Sequence, residues 1–322
     1  DLAGDDDEYR LAMRAWITRD AAERLFAAAG LDFAELKQRA LQPDFRAQPL
    51  GQILSITLLN EIEEITSANV IGVLPGETRA GESIVYTAHW DHLGVDESNA
   101  EDPVFNGAVD NASGVAGLLE LAEAFGSLES RPDRTLVFIA VTAEESGLLG
   151  SKWYVENPVF PLEQTVAAIN MDSMNVYGPT KDVVVVGYGN SELEDYLAKA
   201  VEEQGREIVP EEHPERGYYY RSDHFNFAKH GVPALYAESG SGYVGENAEE
   251  AARRAAAYTA EHYHKPSDEY ADWWNLEGAV QDIQLYFTVG HELANSDDFP
   301  GWYQGNEFRA IREESAAARQ GE

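Results

Sequence analysis

Short apolar runs alternate with helical patterns along most of the chain beyond residue 82. The runs are rich in Val and Ile and lie at 83–88, 134–142, 166–171, 182–188 and 232–237. Nearly unbroken runs of this length are typical of strands that are covered on both faces. Between the first two runs, Val115, Leu118 and Phe125 recur at helical spacing, and further helical patterns span 191–205 and 277–296. The alternation predicts an α/β fold, with a mixed, mainly parallel twisted sheet sandwiched by helices.

The first sixty residues have a different pattern. Residues 18–29 and 31–41 are rich in helix formers and flank Gly30, which predicts two short helices. Residues 53–65, "ILSITLLNEIEEI", alternate between apolar and polar positions, which favours one or two strands. We therefore expect an accessory segment at 1–60, a main domain at 61–298 and a carboxyl-terminal tail at 299–322.

The amino-acid composition limits which ligands the protein is expected to bind and which residue types could hold a metal. The 322 residues include 58 acidic and 23 basic side chains, which gives a net charge of −35. This charge disfavours binding to nucleic acid or anionic membranes and favours a cationic ligand such as a peptide amino terminus, although it also fits a solvated acidic surface or a salty habitat. The chain has no cysteine, so any metal must be held by His, Asp or Glu. No apolar run approaches the roughly 20 residues of a spanning helix, and no secretory signal opens the sequence.

Acidic or imidazole side chains follow three predicted strands. His89 follows the run at 83–88, Glu144 and Glu145 follow 134–142, and Asp172 follows 166–171. In open α/β sheets, ligands bind beyond the carboxyl ends of the strands. Asp110 precedes a predicted helix and is expected at the same edge. The sequence therefore predicts that these side chains meet in one cluster.

A further candidate is His264, which lies in the rigid turn "YHKPSDEY" with Asp268 as a possible acceptor for its ring. Imidazole nitrogens and carboxylate oxygens are zinc donors. Five ligands that include one shared carboxylate suit a pair of zinc ions roughly 3.5–4 Å apart, as in aminopeptidases. A sixth residue is then free to act as a base, and the adjacent glutamates suit this division between ligand and base.

Six segments together carry a resemblance to a known family. In order they are "TAHWDHLG", "GAVDNASGVAGLLELA", "VTAEESGLLGSKWY", "INMDSMN", "YRSDHFNFAKHGVPAL" and "YHKPSDEY". Between about residues 68 and 296 the chain resembles the co-catalytic di-zinc aminopeptidases related to bacterial secreted leucyl aminopeptidases and to glutamate carboxypeptidase. Residues 1–60 resemble the end of an inserted protease-associated domain, and residues 61–298 the zinc-peptidase catalytic domain. The resemblance implies the carboxyl-terminal part of a longer precursor, whose missing amino-terminal portion is a candidate partner, and a periplasmic or secreted location.

The resemblance also implies a role for each matching residue. His89 and Asp172 would bind one zinc ion, Glu145 and His264 would bind the other, and Asp110 would bridge both ions together with a water or hydroxide. Glu144 would be the general base, and Asp91 would orient His89 from behind. The Asp110–Asn111 peptide bond is expected to be cis. No ligand role falls on His92 or His224, which we expect to order the loop and to support the site.

An oxyanion donor is expected from "GYYYRSDH", with Tyr219 as the candidate and Tyr220 or Arg221 as substitutes. The implied function is a metallo-exopeptidase, an aminopeptidase that hydrolyses the amino-terminal bond of a peptide. A glutamate-type carboxypeptidase needs several cations for its substrate, whereas this segment offers Arg221 alone. A single-zinc glutaminyl cyclase needs only three ligands, and a non-catalytic binding member of the fold would have lost ligands that are all present here.

Overall fold

The computed structural model describes residue 2, residues 15–59 and residues 61–320. The chain divides into two compact units, with the boundary between Thr66 and Ser67. In the smaller unit, α1 spans Arg19–Ala28 and α2 spans Phe33–Arg39. The side chains of Thr18 and Asp32 cap these helices by accepting the amides of Ala21 and Glu35, as expected for residues that precede a first helical turn. The two predicted helices are therefore present.

The strand prediction at 53–65 is wrong for the described residues of that segment. None of them belongs to a strand, and the side chains of Ile53, Leu59 and Ile62 are 95%, 98% and 89% exposed. A strand is stabilised by hydrogen bonds to a neighbouring strand and by burial of one face. The alternation of residue types provides a suitable face, but within the described residues no strand pairs with this segment.

The larger unit is built on one sheet of seven strands among the described residues. The strands are β1 (Val70–Leu74), β2 (Arg79–His89), β3 (Arg134–Val141), β4 (Thr165–Asn170), β5 (Asp182–Val185), β6 (Glu207–Val209) and β7 (Ala234–Ser239). Their order is β1-β3-β2-β4-β7-β5-β6. The pairs β1/β3 and β5/β7 are antiparallel and the other four pairs are parallel, which confirms the mixed, mainly parallel sheet.

Helices cover both faces of this sheet. They are α3 (Gly114–Gly126), α4 (Leu149–Glu156), α5 (Leu193–Glu203), α6 (His224–Lys229), α7 (Ala248–Glu261), α8 (Glu277–Asn295) and α9 (Arg309–Gln320). Ile84 packs with apolar residues of α3, α5 and α8, whereas its neighbour Val85 packs with residues of α4 and α6. Because adjacent side chains in a strand point to opposite faces, both layers bury the central strands. None of the described helices is long and apolar enough to cross a bilayer.

The expected tail at 299–322 is instead packed onto the larger unit over its described part. Arg312 is 4% exposed, and its guanidinium donates hydrogen bonds to the carbonyls of Thr165 and Val166, each at 2.9 Å. Trp302 is buried and its indole donates to Gly231. One buried guanidinium and one indole thus attach this segment to β4 and to the turn before β7.

Candidate metal centre

Three neighbouring parallel strands end at the same edge of the sheet. The register pairs His89 of β2 with Val141 of β3, and Thr87 of β2 with Asn170 of β4. His89 is therefore the last residue of its strand, while Glu144, Glu145 and Asp172 lie in the turns that follow β3 and β4. The predicted convergence of strand ends follows directly from this register.

The structure brings the five predicted ligands into one cluster around Asp110. His89 Nε2 lies 3.1 Å from Asp110 Oδ1 and 3.4 Å from Asp172 Oδ1. On the other side, His264 Nε2 lies 3.3 Å from Asp110 Oδ2 and 3.1 Å from Glu145 Oε2. The two oxygens of one carboxylate thus face two different histidines, each of which has a further acidic neighbour.

The backbone at Asp110 is held by a second carboxylate. Asp268 is 2% exposed and accepts the amides of Val109 and Asp110, both at 3.0 Å. The sequence suggested Asp268 as an acceptor for His264, and the structure directs it to these amides instead. The Asp110–Asn111 peptide bond is cis, as expected. Asp268 therefore fixes the position from which the Asp110 side chain reaches both histidines.

A chain of buried hydrogen bonds holds Asp172. Thr87 Oγ1 donates to Asn170 Oδ1 at 2.7 Å, Asn170 Nδ2 donates to Ser222 Oγ at 2.7 Å, and Ser222 Oγ donates to Asp172 Oδ2 at 2.6 Å. These bonds link β2, β4 and the turn before α6. Because Ser222 occupies one carboxylate oxygen, Asp172 Oδ1 is the atom that faces His89.

Asp91 contacts both His89 and the adjacent residues Glu144 and Glu145. Its carboxylate accepts the amides of Glu144 and Glu145 at 3.0 and 3.3 Å. His89 Nδ1 lies 3.1 Å from the backbone oxygen of Asp91 and 3.8 Å from its carboxylate. The closer partner of the His89 ring is therefore the main chain of Asp91, while the side chain of Asp91 positions the turn that carries Glu144 and Glu145.

The pKa values of two ionisable groups at the cluster, Glu144 and His89, are strongly shifted. Burial raises the pKa of Glu144 to about 10, and the charges of Asp172, Asp223 and Glu145 add to the effect while His89 opposes it. Burial would lower the pKa of His89, but the charge of Asp172 and a hydrogen bond to Asp110 raise it well above its usual range. Protonated imidazole is thus favoured because it balances several buried acids. A divalent cation at this position would supply the same positive charge.

The donor set fits zinc, and it includes His92, for which the sequence predicted a loop-ordering role and no ligand role. Two groups of donor atoms, each within 4.8 Å of one another, are formed by His89, Asp110 and Asp172 and by His92, Asp110 and Glu145. His92 Nδ1 lies 2.7 Å from Glu145 Oε1, yet both buried atoms are without a hydrogen-bond partner. His92 Nδ1 thus lies against the oxygen of Glu145 that does not face His264, and all of the donors in the two groups are imidazole nitrogens or carboxylate oxygens, which suit zinc. The only sequence signal for His92 was its position in the same turn as His89.

Tyr219 lies outside this cluster, contrary to the expected oxyanion role. Its ring packs against Tyr220 and His224, and its buried hydroxyl has no hydrogen-bond partner. Tyr219 and Tyr220 line a separate cavity of about 370 Å³, and the acidic groups that act on the Tyr219 hydroxyl are Glu307 and Glu194. The other substitute, Arg221, is exposed and lies over the ring of Tyr218. Packing between aromatic rings, which sequence spacing does not reveal, directs Tyr219 away from the metal ligands.

One tyrosine that lies beside the cluster is Tyr263. Its ring stacks on His264 with 3.8 Å between the centroids. Burial raises the pKa of its hydroxyl, and the charges of Asp110, Glu145, Asp172 and Glu144 raise it further, which places the phenol within electrostatic reach of the cluster. The sequence signal for this residue was its position directly before His264.

Comparison with known proteins identifies relatives of this chain and structures that share its fold. Over 129 residues the chain is 35% identical to Aminopeptidase NAALADL1 of Mus musculus, which covers 38% of this chain and 16% of that protein. It is 41% identical over 93 residues to Aminopeptidase YwaD of Bacillus subtilis (strain 168), which covers 29% of this chain and 18% of that protein. Among solved structures, the aminopeptidase from Aneurinibacillus sp. strain AM-1 shares the fold, with a TM-score of 0.53 and 23% identity over 72% of this chain and 49% of that one. The matches thus span less than a fifth of these curated relatives and about half of the solved chain. Residues 69–288, more than half of the chain, match the sequence model of Peptidase family M28, and the protein belongs to that family.

Proposed function

We propose that this chain is a zinc-dependent aminopeptidase that hydrolyses the amino-terminal peptide bond of peptides. The observation that carries the proposal is the position of Asp110, whose two oxygens lie 3.1 Å from His89 Nε2 and 3.3 Å from His264 Nε2. A carboxylate shared in this way suits two cations, an arrangement that aminopeptidases use. The M28 family membership supports hydrolysis of peptides. Two curated relatives are named aminopeptidases, which supports attack at the amino terminus, whereas two others are named probable glutamate carboxypeptidases.

Each zinc ion has its own pair of residues in this proposal. His89 and Asp172 would hold one ion, Glu145 and His264 would hold the other, and Asp110 would be shared together with a water or hydroxide. His92, which faces Glu145, orients that carboxylate. Bound zinc would supply acidification of a water and polarisation of the scissile carbonyl.

The side chains around the ligands supply proton transfer and orientation. Glu144 takes a proton from the attacking water and returns it to the leaving amine. Burial, with a smaller effect of neighbouring acids, raises its pKa, and positive charge at the ligand set opposes that rise, which favours the ionised carboxylate that a base requires. Asp91 holds Glu144 through the backbone amide, and Tyr263 is positioned to donate a hydrogen bond to the developing oxyanion.

The charges near the cluster favour an amino-terminal over a carboxyl-terminal substrate group. A glutamate-type carboxypeptidase must hold two substrate carboxylates, which requires cations. Of the nearby guanidinium groups, Arg221 lies over Tyr218, and Arg206 is paired with Asp282 at 2.8 Å. An acidic cluster instead attracts the ammonium group of a peptide. An exported location, periplasmic or secreted, is part of the proposal and is supported by the resemblance to secreted relatives.

Metal analysis combined with a substrate panel tests the proposal. We expect about two zinc ions per chain, hydrolysis of aminoacyl nitroanilides, and loss of activity with a chelator that zinc restores. Preferential cleavage of a carboxyl-terminal glutamyl peptide would favour the carboxypeptidase. One metal per chain together with cyclisation of an amino-terminal glutamine would favour the cyclase.

A further inference from the structure

A cavity of about 160 Å³ adjoins the proposed metal centre. Asp172 and Val109, the neighbour of Asp110, line it on one side, and Glu238 and Asp282 also line it. Because Asp172 is a proposed ligand, a peptide held at the metal centre can extend a side chain into this cavity. Nothing in the sequence motifs assigned a role to Glu238.

The two further carboxylates in the cavity differ in their partners. Asp282 is paired with Arg206 at 2.8 Å and accepts a hydrogen bond from Ser239 at 2.7 Å. Glu238 is hydrogen-bonded to Tyr236, and the charged groups acting on it are other carboxylates, Asp172 first among them. Burial, together with these acids, raises the pKa of Glu238 to about 7, although the hydrogen bond to Tyr236 opposes the rise. Cationic charge brought by a ligand would therefore be stabilised at Glu238 more than at Asp282.

The remaining walls suit a long side chain that ends in a cation. The rings of Tyr177, Tyr243 and Tyr258 line the cavity, together with the apolar side chain of Met174. The Tyr258 hydroxyl donates to Asp268 at 3.0 Å, so its polar end is already engaged. Aromatic faces attract ammonium and guanidinium groups, and the aliphatic stem of Lys or Arg packs well on apolar surface.

We propose that this cavity receives the side chain of a Lys or Arg residue at the amino terminus of the substrate, with Glu238 as its counter-ion. The proposal rests on the aminopeptidase function above, since it requires a peptide held at the metal centre. An aliphatic side chain would leave the Glu238 carboxylate facing an apolar group, which is unfavourable. The protein is then an aminopeptidase for basic amino-terminal residues.

Rates with matched substrates test this specificity. On the zinc-loaded protein, kcat/KM is measured for lysyl, arginyl and leucyl nitroanilides with wild type, Glu238→Gln and Glu246→Gln. Glu246 is exposed and is not among the residues that line the cavity, so its variant makes the same chemical change as a control. We expect the Arg-over-Leu ratio of kcat/KM to fall about tenfold or more in Glu238→Gln and to remain at the wild-type value in Glu246→Gln.

Two results would overturn the specificity, and a binding measurement separates it from the proposed function. A wild-type preference for Leu, or an equal fall for all three substrates in Glu238→Gln, would mean that Glu238 does not read the side chain. If no nitroanilide is hydrolysed, the aminopeptidase proposal fails. Titration calorimetry with argininamide and leucinamide then tests whether the cavity prefers a basic side chain. Tighter binding of argininamide that is lost in Glu238→Gln supports a cavity for basic side chains, whereas equal binding of the two amides refutes it.

Discussion

Replacement of Asp268 by Asn tests whether the backbone around Asp110 is what assembles the metal centre. The buried carboxylate accepts the amides of Val109 and Asp110 at 3.0 Å and the hydroxyl of Tyr258 at 3.0 Å. Asn retains one acceptor oxygen but turns an NH₂ group toward a donor, so at least one buried amide loses its partner.

The magnitude follows from these contacts. A hydrogen bond to a charged group contributes about 1.5–3 kcal/mol, and loss of one such bond with an unsatisfied donor left behind is expected to lower the free energy of unfolding by about 2–3 kcal/mol. Groups that orient metal ligands typically change metal affinity by about 10–100-fold, and Asp268 orients the residue shared by both sites. We therefore expect Asp268→Asn to be less stable and to bind zinc more weakly.

Urea unfolding and competitive zinc titration measure the two effects separately. Asp272→Asn is the control, because Asp272 is exposed in the same segment and the substitution removes the same charge. The reasoning would be refuted if Asp268→Asn matched Asp272→Asn in both unfolding free energy and zinc affinity. A loss of stability with wild-type zinc affinity would show that Asp268 supports the fold without positioning Asp110.

Further substitutions examine the proposed roles one at a time. Glu144→Gln should retain the wild-type metal content by elemental analysis and reduce kcat by about 10²–10⁴-fold, because it removes the base; a kcat within a few-fold of wild type would exclude that role. Tyr263→Phe should lower kcat by about 10²–10³-fold if its hydroxyl meets the oxyanion, whereas Tyr219→Phe should leave kcat near wild type; the opposite ranking in steady-state assays would restore the sequence-based choice. His264→Ala should release about one zinc ion per chain, while His92→Ala should retain both and weaken one, since His92 is proposed to orient Glu145; equilibrium dialysis that showed the reverse would exchange the two roles.

The sheet and its polar edge were predictable because they depend on local patterns. Short apolar runs marked β2, β3 and β4, and parallel strands place their carboxyl ends together. His89 and Asp172 could therefore be assigned to one edge without knowledge of the strand order. The segment at 53–65 was mispredicted for the complementary reason, since strand formation there depends on a partner that residue type does not specify.

The residues that surround the ligands were harder to predict than the ligands themselves. Tyr219 and Tyr263 are both aromatic residues near a predicted site residue, and only the packing of rings against His224 or His264 separates them. Sequence spacing gives distance along the chain, whereas the direction of a side chain in a turn depends on tertiary contacts. The same holds for Arg312, whose buried hydrogen bonds to β4 could not be predicted from the sequence of a charged helix at the end of the chain.

The acids near the metal centre divide into two kinds by what their oxygens contact. Asp110 and Asp172 direct oxygens at histidine nitrogens, whereas Asp91 and Asp268 direct theirs at backbone amides. Asp91 and Asp268 each accept two backbone amides, so their oxygens position the main chain at Glu144, Glu145 and Asp110. This division explains how so many acids share one edge of a sheet. Backbone amides bind the oxygens of Asp91 and Asp268, and these hydrogen bonds fix the main chain that carries the other acids.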